Sequence, residues 1–164
     1  MNKLLIATTN QGKLNEFKLF LEDLPLELVS LKDLGITDIV DEDGETYETN
    51  SQKKALFYAM KAGIPALADD AGLEIMALNG EPGVRSRRWL GYAATDEELF
   101  AHITKVAKEL PDENRQAFFK TVISFARPDG TVTSAAGEIE GIVPKEPYKE
   151  VMKGYPYRSF FYLP

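Results

Sequence analysis

The sequence predicts a single α/β domain with a mixed β-sheet and flanking helices. Its length of 164 residues suits one domain that can bury a proper core. In the first half, apolar runs alternate with amphipathic helical stretches, which is typical of parallel strands joined by helices. In the second half, turn residues separate the apolar runs, which indicates hairpins and antiparallel strands. A sheet that contains both kinds of pairing is mixed.

The first half predicts two short strands and two helices. An apolar run opens the chain, and the helical spacing of Leu14, Phe17 and Leu21 follows it. Pro25 ends the first helix, and Gly63 ends the second. In chain order the predicted elements are a strand at 4–8, a helix at 13–23, a strand at 26–31, an acidic and partly looped segment at 38–48, and a helix at 47–62.

The second half predicts one helix among several strands. Residues 66–78 form two apolar runs split by the sequence Asp-Asp-Ala-Gly, which predicts strand, turn and strand. Thr95 and Glu98 form a capping box that opens a helix, and Pro111 ends it. The remaining predictions are a loop at 79–91, a hairpin of strands 118–126 and 131–137, a continuation at 139–143 after a bend, and a last strand at 160–163.

Composition and charge exclude several classes of function. The chain has no cysteine, so disulfides, thiolate metal sites and cysteine nucleophiles are absent. Its net charge of −7 argues against a protein that coats nucleic acid. An acidic protein can still bind a nucleoside triphosphate when a divalent cation lies between carboxylates and phosphates. We find no signal peptide or membrane-spanning run, and therefore expect a cytoplasmic protein without membrane partners.

The turn after the first predicted strand is a candidate phosphate site. It contains Thr8, Asn10, Gly12 and Lys13. At this place in α/β folds, backbone N–H groups and a helix N-terminus face a ligand, and a lysine adds positive charge. The alternative is an ordinary helix start with Asn10 as its N-cap.

Two acidic groups are candidates for binding a hard cation. Asp69 and Asp70 end an apolar run, where carboxylates are costly unless they are used. Asp41 and Glu42 belong to a second acidic group that could complete the same site. The alternatives are a common turn for the first pair and a solvated loop for the second.

Basic residues on one helix and one loop could bind phosphates or a base. Asn50 and Lys54 share a helix face because they are four residues apart. The loop at 82–89 contains three arginines and the only tryptophan of the chain. The alternatives are an exposed lysine and a basic surface loop.

The order of these motifs resembles the inosine triphosphate pyrophosphatase family. The matching segments are ATTNQGKLNEF, DGETYETNSQKKA, PALADDAGLEI, LNGEPGVRSRRW, RQAFFKTVISF and GEIEGIV. The resemblance implies an elongated mixed sheet, two lobes around a nucleotide cleft, and a homodimer. It also implies hydrolysis of ITP, dITP or XTP to the monophosphate and pyrophosphate, with Mg²⁺ or Mn²⁺, in cleansing of the nucleotide pool.

The resemblance assigns roles by position. Asp70 would bind the metal ion and act on the attacking water, with support from Asp69 and from Asp41 or Glu42, between which the sequence does not choose. Lys54 would act with Asp70 on the phosphates. Further substrate contacts are expected from Thr8, Asn10, Lys13, Ala71, Arg88, Tyr157 and Arg158.

The sequence departs from the family at two places. Where the family has GFGYDPIF, this chain has GYPYRSFF, so that Arg158 replaces an aspartate and Pro156 a glycine. Guanidinium groups only donate hydrogen bonds, so an altered base preference is expected. The resemblance also implies a further C-terminal segment with part of the nucleotide site, which this sequence, ending at Pro164, does not include, either because it is truncated or because it is a short natural variant. The alternatives are therefore a catalytically impaired nucleotide-binding or assembly module, and a related septum-inhibitor-like pyrophosphatase with other substrates.

Overall fold

The protein is a mixed α/β structure on a six-stranded sheet, as the sequence predicts. The computed structural model describes residues 2–164. The strands are β1 (Asn2–Ile6), β2 (Leu26–Ser30), β3 (Ala66–Ile75), β4 (Glu81–Pro82), β5 (Gln116–Ala126) and β6 (Val132–Ile142). The helices are α1 (Gln11–Phe20), α2 (Tyr47–Ala62) and α3 (Asp96–Glu109), with short 3₁₀ helices at Met76–Leu78, Gly83–Arg88 and Arg158–Phe160.

The sheet has the order β2-β1-β3-β5-β6, with β4 paired to β3. β1 runs parallel to both of its neighbours, and its register places Leu4 opposite Leu28 and Leu5 opposite Ala66. β4 runs antiparallel to β3. The mixture arises because helices connect the early strands, whereas a turn of five residues connects β5 to β6.

Local signals set the helix boundaries. Thr46 caps α2 by accepting a hydrogen bond from the Thr49 backbone N–H, and Gly63 ends the helix in the left-handed region. The side chains of Thr95 and Glu98 form the predicted capping box of α3. The structure confirms the prediction for α2 to the residue.

The predicted turn at 69–72 is wrong, because β3 continues through it to Ile75. The two carboxylates suggested a turn since an extended, buried backbone rarely carries adjacent acids. In the structure each acid has a polar partner, Lys13 for Asp69 and Asn50 for Asp70. The strand therefore keeps its hydrogen-bonded conformation.

Three further predictions of local structure are wrong. β6 continues without the bend expected between 137 and 139. The Gly-rich segment predicted as a loop contains the helix Gly83–Arg88, in which the Ser86 hydroxyl donates to the Gly83 carbonyl. No strand forms at 160–163, because Phe160 ends the 3₁₀ helix Arg158–Phe160 and Tyr162 makes only a single bridge to Ile142.

The chain divides into two compact units. The first consists of the chain up to Asp70 together with Val122–Ala136, and the second of Ala71–Thr121 together with Gly137–Pro164. Two apolar clusters lie in the first unit, around Leu5 and around Ile6, and one lies in the second, around Phe160. Within residues 2–164 no helix is long and apolar enough to cross a membrane.

Candidate active site

The candidate site is built around two adjacent carboxylates of β3. Asp69 and Asp70 are only 6% and 7% exposed. Adjacent residues of a strand direct their side chains to opposite faces, so each acid has its own surroundings. Asp69 Oδ2 accepts a hydrogen bond from Lys13 Nζ at 2.6 Å, and Asp70 Oδ2 accepts one from Asn50 Nδ2 at 2.9 Å. Burial of both acids is thus matched by a donor to each.

The turn after β1 brings Lys13 to Asp69. The Thr8 hydroxyl accepts a hydrogen bond from the Asn10 backbone N–H at 3.1 Å. Asn10 Oδ1 then accepts from the N–H groups of Gly12 at 2.9 Å and Lys13 at 3.4 Å. Asn10 is therefore the N-cap of α1, which was the alternative interpretation of this motif. The same geometry places the Lys13 ammonium group against Asp69 on the neighbouring strand β3.

One face of α2 supplies the second half of the site. Asn50 and Lys54 lie one turn apart on this helix. The Lys54 ammonium group forms a short ion pair with the Glu42 carboxylate. Because Asn50 contacts Asp70, this face joins β3 to the acidic segment before the helix.

The acidic segment contributes Glu42 and not Asp41 to this cluster. Asp41 is exposed, whereas Glu42 is partly buried against Lys54. The next residue, Asp43, pairs with Lys53 at 2.6 Å between exposed side chains. Of the two candidates, Glu42 is therefore the one that lies beside Lys54.

Burial raises the pKa of Asp70 above the usual aspartate range. The positive charge of Lys54 and the hydrogen bond from Asn50 act in the opposite direction, and the negative charge of Glu42 adds to the increase. A carboxylate with a raised pKa is a better proton acceptor than a solvated one. Asp70 is therefore suited to act on a water molecule.

The donor set around Asp70 fits a magnesium ion. Mg²⁺ prefers oxygen ligands and is usually held by one or two carboxylates, with phosphate oxygens and water completing its shell. Asp70 and Glu42 offer two carboxylates, and the charge of Glu42 contributes to the raised pKa of Asp70. Within the described residues no group of three or more His, Cys, Asp or Glu side chains converges, so an all-protein cage is not present there.

Four of the predicted substrate contacts lie in the second unit, namely Ala71, Arg88, Tyr157 and Arg158. Arg88 ends the 3₁₀ helix Gly83–Arg88, and this helix is anchored to β3 because Ser86 Oγ accepts from the Leu73 N–H at 3.0 Å. The Arg158 guanidinium stacks on the Tyr155 ring at 3.5 Å from its centroid. Tyr157 is buried, and its hydroxyl donates to the Ser86 carbonyl at 2.5 Å.

The predicted substrate contacts of the second unit differ in how exposed their side chains are. The stacked Arg158 side chain is partly exposed, and Ala71 continues β3 directly after Asp70. The aromatic ring of Tyr157 packs in the core of the second unit. Its contribution to substrate binding stays a prediction, whereas its contribution to the packing of that unit is observed.

The sequence predicts a helix face with Asn50 and Lys54 that could look into a phosphate site, but it gives no sign of the contact between Asn50 and Asp70. The signal was its spacing from Lys54, which is common on exposed helices. Gly44, which bonds to Asn50, gave no signal beyond that of a loop glycine. A contact between residues 20 positions apart, as between Asn50 and Asp70, is not visible in local sequence.

Comparison with known proteins places this chain and its fold in a family. The model of the Ham1 family matches residues 4–164. The chain is 39% identical to the dITP/XTP pyrophosphatase of Geobacter sulfurreducens, over 99% of this chain and 81% of that protein. It is 37% identical to the dITP/XTP pyrophosphatase of Shigella flexneri, over 100% of this chain and 83% of that protein.

Solved structures agree with the sequence comparison. A HAM1 protein from Coxiella burnetii superposes with a TM-score of 0.84 at 34% identity, over 99% of this chain and 82% of that one. The Ham1 protein of Staphylococcus aureus gives 0.80 at 33% identity, over 99% of this chain and 82% of that one. The chain belongs to the Ham1 family, which confirms the resemblance drawn from its motifs.

Proposed function

We propose that this protein hydrolyses non-canonical purine nucleoside triphosphates such as dITP, ITP and XTP to the monophosphate and pyrophosphate. The observation that carries the proposal is the buried carboxylate of Asp70, held by Asn50 and influenced by Lys54 and Glu42. The names of its relatives in the Ham1 family support the same activity. The physiological role would be removal of damaged nucleotides from the pool.

The side chains of the site can perform the parts of this reaction. Hydrolysis between the α- and β-phosphates needs an in-line water and a stabilised pyrophosphate leaving group. Asp70 would orient the water and accept its proton. Lys13 and Lys54, which neutralise Asp69 and Glu42 in the structure, would exchange part of this pairing for phosphate oxygens.

Asp70 and Glu42 are the residues that we expect to hold Mg²⁺, with Mn²⁺ as a substitute and Asp69 in support. The metal would supply Lewis-acid activation of water and neutralise phosphate charge. Asp41 is exposed and is the weaker candidate of the acidic segment.

A pyrophosphate-release assay tests the activity and its centre. We expect release from ITP, dITP and XTP with Mg²⁺, and loss of release with excess EDTA. Asp70→Asn should lower kcat by about 10²–10⁴-fold, since loss of a positioned general base has this cost. Asp129→Asn, in the turn between β5 and β6, is the matched control and should keep the wild-type rate.

Two outcomes would contradict the proposal. A wild-type protein that releases no pyrophosphate from any nucleotide with Mg²⁺ or Mn²⁺ would instead be a nucleotide-binding module. A wild-type rate in Asp70→Asn would remove Asp70 from the centre of the reaction. The ratio of rates for ITP and for ATP in the same panel measures the base preference that Arg158 is expected to alter.

We also propose a homodimer that works in the cytoplasm, where the nucleotide pool is found, with a nucleotide cleft and without nucleic acid or membrane partners. The homodimer and the cleft rest on the resemblance of the motifs, and the exclusion of nucleic acid rests on the net charge of −7. Light scattering after size-exclusion chromatography tests the dimer, which a mass near 18.3 kDa would exclude.

A further inference from the structure

Asn50 is the most deeply buried polar side chain of the candidate site. It is 1% exposed, although it lies near the start of a helix whose outer face is solvated. Burial of an amide is costly unless its donors and acceptor are used. Within the described residues, no buried side-chain nitrogen or oxygen lacks a hydrogen-bond partner. The Asn50 amide is therefore hydrogen-bonded inside the protein, and its partners show what it holds in place.

The two ends of the Asn50 amide have different partners. Oδ1 accepts a hydrogen bond from the Gly44 N–H at 2.8 Å. Nδ2 donates to Asp70 Oδ2 at 2.9 Å and makes a longer contact with the Gly44 carbonyl at 3.5 Å. A backbone N–H requires an acceptor and a carboxylate requires a donor. Only one orientation of the amide satisfies both, so the surroundings fix the side chain.

Gly44 permits this arrangement because it has no side chain. A Cβ atom at this position would lie 2.6 Å from Asn50 Oδ1 and 3.0 Å from Thr49 Cγ2. The backbone of the acidic segment therefore approaches Asn50 more closely than any other residue type would allow. Glu42, which is expected to hold Mg²⁺ with Asp70, lies two residues before Gly44.

We propose that Asn50 is a positioning residue for the hydrolytic centre. Its amide fixes the rotation of the Asp70 carboxylate and ties the segment that carries Glu42 to the same point. The inference rests on the proposed function, since it explains how the two acids of the site keep a common geometry. The bond from Asn50 Nδ2 orients the Asp70 carboxylate, and the bond from the Gly44 N–H to Asn50 Oδ1 holds the amide in place.

Three substitutions separate positioning from stability. Asn50→Ala removes both bonds. Asn50→Asp keeps the shape but replaces the Nδ2 donor with an oxygen that repels Asp70. Ser51→Ala is the matched control, because Ser51 is the next residue of α2, is fully buried, and bonds to the Ser124 hydroxyl at 2.7 Å. It lies in the same unit and contacts neither Asp70 nor Gly44 in the interactions described for it.

Steady-state kinetics with ITP, at temperatures where each variant is folded by circular dichroism, give the first measurement. We expect kcat to fall at least about tenfold in both Asn50 variants, since displacement of a catalytic group by about 1 Å can cost 10²-fold. KM for ITP should change less than threefold, and Ser51→Ala should keep kcat within twofold of wild type. An Asn50→Ala protein with the wild-type kcat would overturn the inference, as would equal loss of kcat in Ser51→Ala.

Binding of Mn²⁺ alone, followed by electron paramagnetic resonance, gives a measurement independent of turnover. We expect weaker Mn²⁺ binding in Asn50→Ala and in Gly44→Ala, where the new Cβ displaces the Asn50 amide, and unchanged binding in Ser51→Ala. Equal Mn²⁺ affinity in wild type and Asn50→Ala would overturn the inference even if the enzyme were inactive, as would a wild type that binds no Mn²⁺. Absence of turnover in wild type alone would contradict the proposed function, and the Mn²⁺ measurement would still decide the role of Asn50.

Discussion

At the scale of single residues, the site depends on pairing of charges that are mostly removed from water. Lys13 is one-quarter exposed and Asp69 is buried, so water screens their attraction less than in a surface pair, and removal of one partner leaves the other desolvated. A buried carboxylate without its partner keeps the cost of desolvation. The Lys13 ammonium group is therefore expected to serve stability through Asp69 and function through the phosphates.

The first prediction separates these two contributions. Lys13→Met should lower the free energy of unfolding by about 2 kcal/mol, because Asp69 is left without its donor. It should also raise KM for the triphosphate, since a phosphate-binding charge is lost. Urea denaturation and steady-state kinetics measure the two effects.

The double variant Lys13→Met with Asp69→Asn is the control. Removal of both charges should restore most of the stability but not the KM. A double variant as unstable as Lys13→Met would mean that packing of the lysine stem, and not the charge, stabilises this region.

Residue chemistry also explains which parts of the site could be predicted from the sequence. Asp70 and Lys13 stand out because charged residues beside apolar strands must have a use or a partner. Asn50 does not stand out, because an asparagine on a helix is ordinary until its contact with a distant strand is known. The choice between Asp41 and Glu42 depends on the path of an irregular segment, which local sequence does not fix.

At the scale of elements, the last carbonyls of helix α3 accept hydrogen bonds from a side chain. The last carbonyls of a helix lack intrahelical partners. The Arg115 guanidinium donates to the carbonyls of Ala107 at 2.6 Å and Leu110 at 2.8 Å, and its Nε donates to the Val143 carbonyl at 2.6 Å. One side chain thus connects the end of α3 with the segment after β6.

We therefore expect Arg115→Lys to destabilise the protein by about 2 kcal/mol. A lysine has a single ammonium group and cannot reproduce three donors in a fixed fork. The loss of stability comes from backbone carbonyls at the end of α3 that no longer have their charged donor. Thermal and urea unfolding test the effect, and Lys108→Arg on the exposed face of α3 is the control. A change within 0.5 kcal/mol would show that water replaces the guanidinium.

The start of α3 predicts a dependence of stability on pH. The hydrogen bond from the Thr95 backbone N–H lowers the pKa of Glu98 below its ordinary value, with help from the Tyr92 hydroxyl. A lowered folded-state pKa contributes stability above the unfolded-state value, and this contribution disappears as the pH falls through the folded-state pKa.

Glu98→Gln should consequently lower the unfolding midpoint at pH 7 and have a smaller effect at pH 3. Chemical denaturation at the two pH values measures the difference. Glu97→Gln, on the same turn but outside the capping box, should show less pH dependence. Equal effects of Glu98→Gln at both pH values would contradict a role for its charge.

Elements differ in how well the sequence predicts them, for physical reasons. Helix α2 was predicted to the residue because its cap and its terminal glycine are local. β3 was predicted as two strands because the partners that neutralise its acids lie on α1 and α2. Residues 160–163 were predicted as a strand, but Phe160 ends a 3₁₀ helix and packs in the core of the second unit, with Phe161 against it.

At the scale of the whole molecule, the mixed sheet and the family follow from the sequence with few errors. The order of the motifs carries this information, since each alone has an ordinary structural explanation. The site, in contrast, gathers three separate stretches of the first unit: the turn after β1, the acidic segment with α2, and the middle of β3. Parallel pairing of β1 with β3 brings the first and third together, and this long-range register is what local patterns do not supply.

The discontinuous composition of the first unit has a consequence for synthesis on the ribosome. All of the proposed hydrolytic residues have been made once residue 70 is added, yet the unit also contains Val122–Ala136. Because the N-terminal end is synthesised first, more than fifty further residues must be added before the second part of this unit begins, which takes several seconds at typical translation rates. We expect nascent chains arrested with 121 residues exposed to be digested readily by protease, and chains with all 164 residues exposed to resist. Resistance of the shorter chain would mean that β5 and β6 are dispensable for early folding. Digestion of the shorter chain would mean that the first unit folds only after Val122–Ala136 has been made. Until then the apolar cluster around Ile6 stays exposed, and such a surface is what chaperones bind.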